Sequence, residues 1–361
     1  MRTGGYVIDF WGAGFEIAER MGLLPEIRSK GYVVEEVRVV GRDGKRVTGF
    51  PANAFSRMTK GRFVSLARGD LAATIFRALA GTVETIFGDS VKRIEQTERS
   101  VRVELERGGK REFDLVVGAD GLHSRVRQIV FGEEGQFEKY LGYKAAAFGV
   151  RGYQPRDELI YVMFTEVGQQ VVRFAMRDDR TMFLLTFRDE NPAGADDAEA
   201  QKSLLKKRFG ASGWECAKIL EALDGCEDFY FDRVSQIRMD AAQQGKWTRG
   251  RVALLGDAAS CVSLLAGQGS ALAMVAAYIL AGELKRAGGN YLEALGRYEE
   301  LFGPFVRKKQ EATLRFADMF APGSRFALFA RNQIFSLMRI PWIADMAFGR
   351  DMADAIALEE Y

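Results

Sequence analysis

The stretch Arg251–Gly269, RVALLGDAASCVSLLAGQG, decides how this chain is read. Its opening VALL is a short apolar run of the kind that forms a buried strand. Asp257 follows at the carboxyl end of that strand, then small residues, then Gly267-Gln268-Gly269 and an apolar segment to residue 284 that reads as a helix. This layout gathers a carboxylate, backbone amides without Cβ cover and a helix N-terminus at one point. The carboxylate can accept hydrogen bonds from ligand hydroxyls, and the helix end favours developing negative charge. A flavin offers both, through its ribityl chain and its reduced ring. Taken alone, the same residues also suit a plain strand-to-helix turn capped by Asp257.

Three further segments carry possible chemistry. Asp114–Arg127, DLVVGADGLHSRVR, delivers Gly118, Asp120 and Gly121 to the end of a buried strand. Glycines there admit close backbone approach to a pyrophosphate, and Arg125 or Arg127 could pair with phosphate; a simple capped turn is the alternative. His123 reads as a loop residue rather than an acid–base group. Arg68 stands at a helix start, where it opposes the helix dipole, so an anionic or polar ligand would compensate it. Without such a ligand it is a solvated arginine. Gly12-Ala13-Gly14 follows a strand at Tyr6–Phe10, but Ile17 occupies the third glycine position and Glu35 and Glu36 lie inside the next strand. As a dinucleotide fingerprint this is weak. Asp9, at the end of the first strand, is the more informative residue.

The 361 residues suffice for two domains or one composite domain, and the net charge of +2 points to neither nucleic acid nor a membrane surface. Cys216, Cys226 and Cys261 have no metal-ligand spacing, and a single histidine argues against a metal site or a catalytic triad. With no visible signal peptide or spanning segment, a cytoplasmic protein is expected.

Pro25 is expected to stop the first helix, residues 32–40 to form a strand, 46–66 strand and loop, and 70–80 a helix. VKRIEQ and VRVEL read as a two-stranded ribbon closed by Gly108-Gly109, and 113–117 as a buried strand. Residues 143–190 hold four β-segments, followed by helices at 197–209 and 214–223 and a strand at 229–237. The implied fold is an α/β composite. An incomplete Rossmann-like framework (1–30, 62–142 and 236–302) is interrupted by an antiparallel sheet (31–61 and 143–235), with C-terminal helices at 303–361.

In combination these segments resemble the group A flavoprotein monooxygenases, the p-hydroxybenzoate hydroxylase-like family, and within it the tetracycline-inactivating type. GADGLHSRVR looks like that family's DG motif, LLGDAASCVSLLAGQGSALAM like its GD motif, and ARGDLAATIF like its Arg-x-x-Leu element. RTGGYVIDFWGAG and FAPGSRFALFARNQIFSLMRIP complete the likeness, which spans essentially the whole chain.

The resemblance implies an FAD-binding domain with an inserted substrate domain. It implies that Asp257 binds the ribityl or ribose side of FAD and that Gly267, Gln268 and Gly269 approach the isoalloxazine. It assigns Asp120 and Gly121 to the pyrophosphate region and to NAD(P)H, Arg68 and Asp9 to FAD, and Arg2 to the nicotinamide cofactor. It further implies oxygen insertion through a C4a-hydroperoxyflavin into an aromatic or polyketide-like substrate, in a monomer or homodimer. No side chain is expected to act as catalytic acid, base or nucleophile. The residues at 143–190, among them Phe148, Tyr161, Met163, Phe164, Phe174, Met176, Phe183 and Phe187, would wall the pocket or form plain sheet core.

Two departures stand out. Val262 and Leu264 occupy the neighbourhood where the family's GD motif continues with proline, and the family's opening G-x-G-x-x-G βαβ unit has no counterpart before Met1-Arg2-Thr3-Gly4-Gly5. The second leads to the expectation of a truncated product or a misplaced start codon. A flavin-free remnant that binds a hydrophobic molecule, or a flavin reductase that does not insert oxygen, are the alternative activities.

Overall fold

Period-two alternation of apolar residues builds the largest sheet. A computed structural model describes residues 6–79, 81–194, 197–226, 228–239, 246–340 and 356–361. Its seven-stranded sheet runs, edge to edge, Phe229–Ile237, Glu138–Arg151, Arg180–Arg188, Gln169–Ala175, Ile160–Glu166, Glu36–Val40 and Arg46–Pro51. All neighbours are antiparallel except Ile160–Glu166 beside Glu36–Val40. Alternation sends Phe148, Phe164, Phe183 and Phe187 to the outer face, where helices Ala198–Phe209 and Cys216–Asp224 cover them with Phe209, Ile219 and Leu223. These four are core residues. Tyr161, Phe174 and Met176 belong to a different cluster on the opposite side, and Met163 shares the inward face of its strand with Tyr161.

The inward face carries a row of cross-strand neighbours: Val39, Met163, Val172, Leu184, Ala147 and Tyr230. Met163, Val172 and Leu184 are only half-buried although they sit mid-sheet. Three adjacent strands make this open floor about 10 Å wide.

The second half of the molecule pairs Val252–Leu254 in parallel with Val116–Gly118, and Thr248–Arg249 adds an antiparallel edge. Val116–Gly118 is the other edge of that sheet, and Val117 on it is 40% exposed. Helices Gly269–Arg286 and Tyr291–Phe320 bury Val275, Ala276, Ile279, Tyr298 and Phe302 against Val252, Ala253 and Leu254. Strand Val7–Trp11 pairs antiparallel with Phe63–Ala67. Helix Ala13–Arg20 lies against Gly269–Arg286 so closely that a Cβ on Gly14 would stand 2.5 Å from the Ala271 Cα.

Some local expectations change. Pro25 lies in the first turn of a helix, Leu24–Lys30, where its missing N–H costs nothing. Asn53–Met58 is a short helix, and the ribbon has three strands, with Gly108-Gly109 joining the second and third. Only Glu36–Val40 of residues 32–40 is strand; Tyr32 makes an isolated bridge to Ser65. Among the described residues no helix is long and apolar enough to cross a membrane.

Candidate functional site

The strand Val252–Leu254 ends at Gly256, whose φ of 61° turns the chain into the short helix Asp257–Ser260. Asp257 is half-buried, and burial raises its carboxyl above the usual range; Arg68 and the nearby Cys261 thiol oppose that rise. Burial, with Asp257 beside it, raises that thiol well above its ordinary value, and its Sγ donates to the Ser235 carbonyl at 3.6 Å.

Arg68 opens the helix Arg68–Ala78, its backbone N–H donating to the Tyr6 carbonyl at 3.1 Å. Its guanidinium lies 5.8 Å from the centre of the Tyr6 ring. Tyr6 in turn packs on Tyr230, at 5.8 Å between ring centres, and Tyr230 ends the open row on the seven-stranded sheet. Asp257, Arg68, Tyr6 and Tyr230 therefore join the parallel-sheet half to the inward face of the large sheet. Tyr6 and Tyr230 carried no sequence signal, because the contact that matters joins residues more than two hundred positions apart.

Beyond Asp257, Ser263 adopts a φ of 108°, rare for a residue with a side chain, and its Oγ accepts from the Leu265 N–H at 3.1 Å. Gly267 is left-handed at φ 64° with open space where a Cβ would point, and Gly269, where the long helix starts, has only Asp257 Oδ1 nearby at 3.7 Å. The three residues Gly267, Gln268 and Gly269 all keep accessible surface.

Asp120 and Gly121 follow the neighbouring parallel strand, so their loop leaves the sheet at the same end as Asp257. Both Asp120 oxygens are used locally: Oδ1 accepts from Ser124 Oγ at 2.5 Å and Oδ2 from the Val126 N–H at 3.0 Å. The capped turn is thus realised in the side chain, while Gly121, at φ 88°, stays open.

Arg127 is unavailable to a phosphate. Fully buried, it donates to the Ala258 carbonyl at 3.0 Å, the Leu122 carbonyl at 2.6 Å and Glu134 at 3.1 Å, tying the two strand-end loops together. Arg125 is exposed. His123 bridges Glu134 (2.9 Å from Nδ1) and Asp232 (3.0 Å from Nε2), and these hydrogen bonds, Asp232 first, raise it to about 9 despite opposing desolvation.

Asp9 sits apart from this group. Ser65 Oγ and the Tyr161 hydroxyl both donate to its Oδ1, at 2.5 and 3.1 Å, and burial raises its carboxyl. It links strand Val7–Trp11 to the inward face of the large sheet. Arg2 lies outside the described residues. Among the described residues there is no cluster of His, Cys, Asp and Glu that could hold a metal, and the three cysteines are free.

Residues 13–290 match the family described as the FAD binding domain. The chain belongs to the FAD-dependent monooxygenase family. Within it, the chain is 39% identical over 319 residues to protein Rv1260 of Mycobacterium tuberculosis strain H37Rv, covering 86% of this chain and 82% of that one. A flavin-dependent monooxygenase from an unknown prokaryotic organism is 36% identical over 312 residues, covering 86% of this chain and 79% of its own length. Among solved structures, the tetracycline destructase Tet(55) superposes with a TM-score of 0.82 at 30% identity, covering 100% of this chain and 89% of that chain. For this monooxygenase-family chain, the two strand-end loops and the inward sheet face are the candidate site.

Proposed function

We propose that this chain uses FAD and NAD(P)H to insert oxygen into a flat aromatic or polyketide-like molecule lying on the inward face of the seven-stranded sheet. The observation that carries this is the contact of Tyr230 with Tyr6: the open row Met163–Val172–Leu184 runs directly into the Arg68–Asp257 cluster. A cofactor held at that cluster would face a substrate on that row.

The residues present fit the riboflavin end of FAD. Asp257 offers a half-buried carboxylate beside the Cys261 thiol and Arg68. Gly267 and Gly269 leave the backbone bare where a planar ring would approach. None of Asp9, Arg68, Asp120, Gly121, Asp257, Gly267, Gln268 and Gly269 is sealed in the core. Bound FAD would supply the redox chemistry, hydride acceptance and activation of oxygen.

The protein's own part is positioning. Asp257 accepts from sugar hydroxyls, the N-terminus of helix Gly269–Arg286 favours a reduced, anionic ring, and Arg68 offsets charge beside it. The apolar floor orients the substrate and excludes water.

Purified protein tests this directly. Flavin absorbance should accompany the folded chain, and NAD(P)H oxidation with matching oxygen uptake should rise when phenolic substrates are added. Protein that folds yet takes up no FAD from excess cofactor would reject the proposal. NAD(P)H oxidation without oxygen uptake would instead support a reductase.

A further inference from the structure

Two residues along from the open row, the inward face of the large sheet turns polar. Register aligns Thr165, Gln170 and Thr186 across three strands, and all three are buried. Arg331, on helix Arg325–Leu337, lies over the Thr165 end and is only 3% exposed. Its Nη1 donates to Thr165 Oγ1 at 3.0 Å and to the Met319 carbonyl at 3.3 Å, and its Nη2 to Asn332 Oδ1 at 2.9 Å. Gln170 Nε2 donates to the same Thr165 oxygen at 3.1 Å. Every one of these acceptors is neutral.

The contrast with the other fully buried arginines among the described residues decides the matter. Arg127 faces Glu134, and Arg173 is held between Glu215 and Asp157. Among the described residues Arg331 faces no carboxylate, and burial alone lowers its guanidinium to about 10. A buried cation without a counter-charge is disfavoured, since its lost hydration is not replaced.

Its Nε and the Gln170 Oε1 are both buried without a hydrogen-bond partner among the described residues. The Thr165 oxygen already receives two donors, so its own proton is directed elsewhere. Turning the Gln170 amide would satisfy that proton but leave an amide N–H without an acceptor. In either orientation the Nε remains a spare donor.

We propose that Arg331, with Thr165 and Gln170, forms a subsite for an ionised oxygen of the substrate: an enolate, a phenolate or a carboxylate. The inference rests on the monooxygenase reading above for what the cleft holds, and adds the charge of the ligand and the residue that selects it. The subsite adjoins Met163, which shares its strand face with Thr165 and packs in the same cluster as Met319 and Phe335. Met163 is half-buried and unbranched, so it is the side chain whose rotation would give a ligand access to this end of the floor. With its charged oxygen at Arg331, a planar ligand lies along the row toward Tyr230. Where that oxygen is a phenolate or enolate, its charge also makes the conjugated system electron-rich, which suits oxidation.

The test is equilibrium dialysis of two matched probes, 2-naphthoate and 2-naphthamide, against the purified full chain without turnover. Wild-type protein should bind the carboxylate at least about tenfold tighter than the amide, the low end of a charge-assisted hydrogen bond. Arg331→Met should bring the two affinities together, Arg331→Lys should keep part of the preference, and Thr165→Val should reduce it. Wild-type protein without preference, or a folded Arg331→Met protein that keeps it, overturns the proposal. Where Arg331→Met does not fold, an unchanged preference in both Arg331→Lys and Thr165→Val overturns it equally. FAD uptake measured on the same preparation separates the two readings. Preference without FAD uptake supports the anion subsite and rejects the monooxygenase; FAD uptake without preference does the reverse.

Discussion

Asp257 and Asp120 stand at the ends of two parallel strands and are the same residue in different employment. Asp120 spends both oxygens on Ser124 and Val126, whereas Asp257 lies beside the Cys261 thiol and Arg68. Asp257→Asn should therefore lower FAD affinity by roughly tenfold or more, the weight of hydrogen bonds to a charged acceptor, read from flavin absorbance after desalting. Asp120→Asn should cost mainly about 1 kcal/mol of stability through the weakened cap. His123 gives a sharper residue-scale expectation. Its folded value of about 9 lies above the ordinary 6.5, so its pairing with Asp232 and Glu134 stabilises fully below about pH 6.5. That contribution is lost as pH rises through about 9. Arg127 and Arg233 face the same Glu134. Because His123 is the single histidine, its ring proton resonance is unambiguous, and a midpoint near 6.5 would contradict the bridge.

At the scale of elements, the site depends on how closely two helices pack. Gly14 of helix Ala13–Arg20 allows the backbone of Ala271, two residues into helix Gly269–Arg286, to come within van der Waals reach. Gly14→Ala forces the helices apart and should cost about 1–3 kcal/mol in thermal or urea unfolding. It should also weaken FAD retention, because the displaced helix start carries Gly267, Gln268 and Gly269. Arg127 ties the neighbouring loops from within. Arg127→Met leaves the Ala258 and Leu122 carbonyls without their donor, while Glu134 keeps His123 and Arg233, for an expected loss of about 1–3 kcal/mol. A melting temperature close to wild type would show that the loops do not need this tie.

Across the whole molecule, one sheet serves two neighbours of opposite character, and substitutions one residue apart should separate them. Phe183, on the outer face, is core: Phe183→Ala should destabilise by about 3–5 kcal/mol. Leu184, on the inward face, is floor: Leu184→Trp should leave stability and FAD content near wild type while abolishing substrate-stimulated NAD(P)H oxidation. Equal effects on stability would mean that the inward face is packed shut. The sequence by itself determined the local chemistry: two strand–carboxylate–glycine turns, the helix after Gly269, and the alternating β-segments between 143 and 190. Those are properties of neighbours along the chain, set by side-chain period and backbone freedom. It could not say which of eight large apolar residues faced a cleft, because alternation fixes that there are two faces but not what covers each. Nor could it show that Arg127 is consumed internally, that Tyr6 meets Tyr230, or that Arg331 lies over Thr165. Those facts depend on which distant elements meet and on how much water their meeting removes, and only the tertiary structure decides that.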